Sequence, residues 1–252
     1  MEFRLLMLKS IAVTLCLTLS GFTFAKIDVE YLATQTSQDK VNLEKINKNN
    51  ITQRVIDLMD ETVNLESHLT IRYGGEDGPL FDSEHQALLM PYAFVTEIEE
   101  QFNTIEPALS EDEMQQAIDG VLAHTLLHEI GHGLVYVNGL PVLGREEDAV
   151  DSFATVWLLE GFEEGQRMAF DAALMFALES EEVDEFMEED FWGEHSLDEQ
   201  RYYQTLCLIF GSDPEAMQQK TDIFDEAFVE ERGESCVDDY EIVKGSWQAM
   251  TE

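Results

Sequence analysis

The sequence predicts an α+β fold, with a small twisted sheet in the N-terminal part and helices through most of the rest. Three observations carry this. Residues 68–73 alternate, with Leu69, Ile71 and Tyr73 on one face and His68, Thr70 and Arg72 on the other, the period of a half-buried strand. Ser110 followed by Glu113 forms a capping box ahead of a long stretch of helical pattern that runs to about Val137. Beyond Arg145 the pattern is mostly helical.

Taken in order, residues 39–61 read as a polar amphipathic helix with an interruption at Asn49-Asn50. The cluster Gly74-Gly75-Glu76-Asp77-Gly78-Pro79 is a turn. Residues 80–81 and 86–92 read as further strands, Pro91 marking an edge or an end. The second of these is expected at the sheet edge, where an extended peptide can add as an extra strand. Residues 94–102 read as a helix. Asn138-Gly139 and Pro141 stop the long helix begun at Ser110. Further helices are expected over residues 145–159, 163–180 and 197–210, the last capped by Ser196 with Glu199, and again after Cys236. The acidic run 179–190 reads as a solvated helix face.

Composition narrows the function. The chain has 252 residues, 53 Asp and Glu against 14 Lys and Arg, and a formal net charge of −39. Nucleic-acid binding requires basic patches that displace counterions from phosphates, and so few cations cannot build one. The same field repels an anionic membrane surface and favours cationic ligands, metal ions included. Hydrophobic residues make up 44%, enough for a core.

Residues 1–25 read as a signal peptide: Arg4 and Lys9 supply a positive start, residues 11–24 an apolar run, and Ala25 a small residue at the cleavage point. The expected mature chain, 26–252, is a single domain with an N-terminal lobe to about residue 139 and a helical C-terminal lobe beyond it. It is expected to be exported, periplasmic or secreted, with no membrane segment after cleavage. Two cysteines then remain, Cys207 and Cys236, and an even count in an exported chain predicts one disulfide.

The chemistry sits in His128-Glu129-Ile130-Gly131-His132. On a helix the two histidines, four apart, share a face and can grip one metal ion, while Glu129 reaches a water at that ion. A metal lowers the pKa of such a water to about 7, and the glutamate takes its proton. A catalytic zinc needs a third protein ligand and an open position. Val135 and Asn138 stand where the metzincin continuation requires Gly and His, so that class is excluded. In the next helix Glu147 and Asp151 are again four apart, the ExxxD arrangement of gluzincins. Glu147 is then the third ligand, and Asp151 holds the far nitrogen of a ligating histidine. Asp151 as direct ligand is the second choice, and Glu146 and Asp148 are expected to point elsewhere.

The HExxH segment followed by Leu140-Pro141-Val142-Leu143-Gly144-Arg145-Glu146-Glu147-Asp148-Ala149-Val150-Asp151 resembles the bacterial metallopeptidase-like DUF4344 group. Pro91-Tyr92 with Phe94, the run His195-Ser196-Leu197-Asp198-Glu199-Gln200-Arg201, and Gly211-Ser212-Asp213-Pro214 are similar to that family too. The resemblance spans roughly residues 65 to 240 and implies a zincin-like fold and peptidase chemistry on a peptide or protein substrate, without specifying which; the motif predicts one Zn2+ per chain, and the alternative is a zincin-fold metal-binding or scaffold protein without turnover. Gluzincins bring a His or Tyr from the C-terminal half to steady the oxyanion, a catalytic role open to His195; the alternative is a surface or capping histidine. Arg201 is expected to pair with Asp198 or Glu199 rather than to steady a substrate carboxylate, His124 to pack rather than to support a ligand, Tyr202–Tyr203 to pack, and His68 and His85 to carry no pattern.

Overall fold

A computed structural model describes residues 26–183 and 185–251; the signal peptide expected over residues 1–25 lies outside them. Four strands form one sheet in the order β1 (Ile27–Tyr31), β2 (Leu69–Tyr73), β4 (Ala87–Met90), β3 (Leu80–Asp82). β1 and β4 flank β2 in parallel, and β3 closes the sheet antiparallel to β4. Parallel pairing demands a crossover, which α1 (Ser37–Asn47) and α2 (Ile51–Thr62) supply between β1 and β2. The expected interruption between them is real. Asn50 sits at φ 53, a left-handed conformation that asparagine tolerates better than most residues.

Residues 86–92 were expected to form the edge strand. The edge is instead β3, because β4 is inserted between β2 and β3. Asp82 explains the tight return from β3 to β4: its Oδ1 accepts from the backbone N–H groups of Glu84 and His85. β1 escaped the sequence reading because only Ile27 of its five residues is buried, which leaves no alternation to detect.

After α3 (Phe94–Phe102) comes α4 (Glu111–Asn138), started by the Ser110–Glu113 capping box and stopped at Gly139, φ 61. From Ala117 to Val135 nearly every side chain of α4 is buried, so it is the spine of the molecule rather than a surface helix. Two glycines allow its neighbours to come close. A Cβ on Gly131 would lie 3.0 Å from Val150 of α5 (Glu146–Gly161), and one on Gly133 would lie 2.7 Å from Leu69 of β2. The two close approaches press α5 and the sheet onto the same turn of α4.

The remaining helices are α6 (Gly165–Glu181), α7 (Glu188–Trp192), α8 (Asp198–Ser212), α9 (Pro214–Met217) and α10 (Glu226–Thr251). α8 starts one residue later than expected: Gln200, not Glu199, reaches back, its Oε1 accepting from the Leu197 N–H. α10 begins ten residues before Cys236 rather than after it. The expected disulfide joins Cys207 of α8 to Cys236 of α10. No described helix is long and apolar enough to cross a membrane.

Candidate metal centre

α4 contributes His128, Glu129 and His132, α5 contributes Glu146, Glu147 and Asp151, and the loop before α8 contributes His195. The side chains meet because α5 packs on Gly131, between the two histidines. His128 Nε2 and His132 Nε2 are 3.2 Å apart. Glu147 Oε2 lies 3.2 Å from the first and 3.3 Å from the second. His195 Nε2 lies 2.9 Å from the same oxygen.

The other ring nitrogens fix the tautomers. His128 Nδ1 donates to Asp151 Oδ1 at 2.7 Å, and His132 Nδ1 donates to Glu146 Oε1 at 2.8 Å. A carboxylate only accepts, so each proton sits on Nδ1 and each Nε2 turns a lone pair inward. Two such lone pairs and a carboxylate oxygen then face one another, an arrangement that needs a cation. Bonds of about 2.0–2.1 Å to a tetrahedral ion separate the ligand atoms by roughly 3.3–3.4 Å. The observed separations of 3.2, 3.2 and 3.3 Å match this within the tolerance of such sites. The residues fit a divalent metal.

The carboxylates around the two histidines favour positive charge on them. Burial opposes the charged form of His128, but its bonds to Asp151 and Glu147 prevail and raise it to about 9. His132 is raised in the same way against its burial. Burial pushes against ionisation of Glu147 and Asp151 too, yet the histidines around the first, and His128 and Arg201 around the second, hold both far below the usual carboxylate range. Glu129 differs: burial dominates and raises it, nearby histidines only partly opposing the shift.

His128, Glu129, His132, Glu146, Glu147 and His195 line a cavity of about 650 Å³ together with Leu80 and Phe81 of the β3 edge, Tyr136 and Arg145. The family described as "Putative metallopeptidase", DUF4344, matches residues 31–251. The chain belongs to that family. No curated protein and no solved structure matches the chain.

For this DUF4344 protein the structure brings together all the residues singled out from sequence: His128, Glu129, His132, Glu147, Asp151 and His195. It also distinguishes the two α5 carboxylates. Glu147 faces the three Nε2 atoms, whereas both oxygens of Asp151 are occupied, Oδ1 by His128 and by Arg201 Nη2 at 3.0 Å, and Oδ2 by Arg201 Nε at 2.8 Å. Arg201 was expected on Asp198 or Glu199. It does approach Asp198 at 3.5 Å, but its fork clasps Asp151 and its plane stacks 3.9 Å above Phe176.

Glu146 corrects the expectation that it points away. As the first residue of α5 it swings back to His132. The signal was in the chemistry: two ligating imidazoles need two Nδ1 acceptors, and Asp151 can serve only one of them. His124 is packed, as expected, with Nε2 3.3 Å from Thr155 Oγ1. His68 and His85 are elsewhere, beside Asp28 and Asp82. His195 carries its imidazole stacked 6.4 Å from that of His128, and its backbone oxygen accepts from Arg145 Nη1.

Proposed function

We propose that this chain is a zinc-dependent peptidase of zincin-like, gluzincin-type architecture, in which His128, His132 and Glu147 hold one Zn2+ and Glu129 is the general base. The observation that carries this is the convergence of His128 Nε2, His132 Nε2 and Glu147 Oε2 at mutual distances of 3.2–3.3 Å, with both Nδ1 protons tied outward to carboxylates. Nitrogen and carboxylate donors in a His2Glu set suit zinc, with one position left open. An ion held there would supply Lewis acidity toward a carbonyl and a water.

The protein's own groups do the rest. Glu129, buried beside the site with a raised carboxyl pKa, takes the proton of the attacking water and hands it to the leaving amine. Asp151 and Glu146 hold the two imidazoles in the ligating tautomer. His195, the most exposed member of the cluster, donates to the oxyanion as charge develops there. An extended substrate adds to the free edge of β3, whose Leu80 and Phe81 line the cavity.

In this reading the mature protein, residues 26–252, is a single domain whose two lobes, about 26–139 and 140–252, meet at the metal site. Export behind a signal peptide to the periplasm or medium agrees with the Cys207–Cys236 disulfide, since such bonds persist in oxidising compartments.

Metal content by mass spectrometry, beside cleavage of a peptide library, tests the proposal. One zinc per chain is expected in the wild type, with sharp loss in Glu147→Ala. In Glu129→Gln the zinc should stay and cleavage should fall by a factor of at least 100. Unchanged cleavage by Glu129→Gln would refute the mechanism, and zinc retained in full by Glu147→Ala would refute the ligand set.

A further inference from the structure

A recess of about 170 Å³ adjoins the main cavity and shares Pro79, His128, Glu129 and His195 with it. Its size suits one amino-acid side chain. Phe94, Val121, Met175 and Phe176 give it apolar walls, and Glu179 and Arg201 add charge. Arg201 is already committed to Asp151, to Asp198 and to the face of Phe176, so it has little left for an incoming anion.

Glu179 is in the opposite position. Among the described residues no hydrogen bond reaches its carboxylate. Its charged surroundings are Asp198, Glu182 and Glu97, which repel it, and Arg201, whose charge is answered elsewhere. Burial and these acids push it up to about 7, the behaviour of a carboxylate that lacks a cation. His124, also lining the recess, supplies none, since burial keeps its ring neutral.

We propose that this recess receives a substrate side chain beside the scissile bond and that Glu179 selects lysine or arginine there. The inference rests on the peptidase reading and deepens it. Apolar walls with a carboxylate match a methylene stem bearing a cationic head. A free α-ammonium offers the same charge without the stem, so the side chain is the better occupant. The net charge of −39 draws cationic peptides toward the cavity from a distance.

The test separates recognition from turnover. Zinc-loaded Glu129→Gln protein is titrated by calorimetry with N-acetylated peptides that differ at one position, lysine against norleucine. Lysine should bind about 10- to 100-fold tighter, the range of a charge-assisted hydrogen bond. Adding Glu179→Gln should bring the ratio close to one, and adding Glu179→Lys should turn the preference toward a glutamate peptide. Equal affinities in the parent protein, or a ratio that survives both substitutions, would overturn the proposal. A preference seen only with unblocked N-termini would overturn the side-chain assignment in favour of the α-ammonium. Failure of the peptidase reading shows differently: wild-type protein would cleave no member of an acetylated library while the lysine preference in binding persisted.

Discussion

Replacing Gly131 by alanine should weaken metal binding without touching any ligand. The new Cβ would stand 3.0 Å from Cβ and Cγ1 of Val150 and 3.3 Å from Cδ1 of Phe153, where carbon atoms prefer about 3.5–4.0 Å. Val150 and Phe153 are both fully buried, so neither can turn aside into solvent. Both belong to α5, and the cheapest relief is for that helix to retreat by roughly 0.5 Å, the shortfall in contact distance. Glu147 and Asp151 ride on the same helix, and metal sites tolerate only about 0.2 Å of error in ligand distance. Overpacking costs about 1–3 kcal/mol, while exchanging glycine for alanine inside a helix returns about 1 kcal/mol. The metal-free variant should therefore lose between 0 and about 2 kcal/mol, and zinc affinity should fall about tenfold or more, by analogy with the loss of a ligand's supporting partner. Chelator competition measures the affinity and denaturant unfolding of the apoprotein measures the stability. An alanine variant that gains about 1 kcal/mol and binds zinc within twofold of wild type would refute the idea that this close approach sets the site.

Three other outcomes are expected. Asp151→Asn cannot serve both the His128 Nδ1–H and the Arg201 fork, so zinc affinity should drop about 10- to 100-fold and stability by about 3–5 kcal/mol, measured by chelator competition and urea unfolding. His124 has a pKa pushed down to about 3 by burial, so the unfolded chain takes up its proton near pH 6.5 while the folded chain does not. Stability should thus fall with decreasing pH below 6.5 by up to about 1.4 kcal/mol per unit, and the difference between wild type and His124→Asn should narrow by that slope in urea titrations between pH 6.5 and 5. Paired Cys207→Ser and Cys236→Ser substitutions open a loop with a sequence separation of 29 and should cost about 3.5 kcal/mol in the same assay, a loss under 1 kcal/mol counting against the entropic account.

What could be read from the sequence follows how local each signal is. The spacing of His128 and His132, and of Glu147 and Asp151, fixes which side chains share a face of one helix, and helix geometry then does the rest. The Ser110–Glu113 box and Gly139 mark both ends of α4 for the same reason. Strand order is not local. Nothing in residues 80–92 says that β4 lies inside the sheet and β3 outside, because that choice depends on pairing with β2. The second partner of Arg201 and the direction of Glu146 are non-local on similar grounds, while the expected Arg201–Asp198 pair is present. Arg201 reaches Asp151 across two helices packed by the tertiary fold, and Glu146 lies at a helix end, where periodicity no longer dictates direction. The acidic run places Glu179 on a solvated face. Only the fold shows that it lines a recess beside Glu129.

The seven-residue link between α4 and α5 has a meaning for the order in which the centre can assemble. His132 and Glu147 are 15 residues apart in the chain, whereas His195 lies about 60 residues from His132. Closing a flexible loop becomes costlier as 1.5RT times the logarithm of its length, so bringing in His195 costs roughly 1.3 kcal/mol more than bringing in Glu147. The helical hairpin alone carries His128, His132 and Glu147, and also the two carboxylates, Asp151 and Glu146, that bind the Nδ1 atoms of the histidines. The ligand set proposed for the metal is therefore complete within one contiguous piece of polypeptide, and the loop with His195 joins a cluster whose other groups the hairpin already provides.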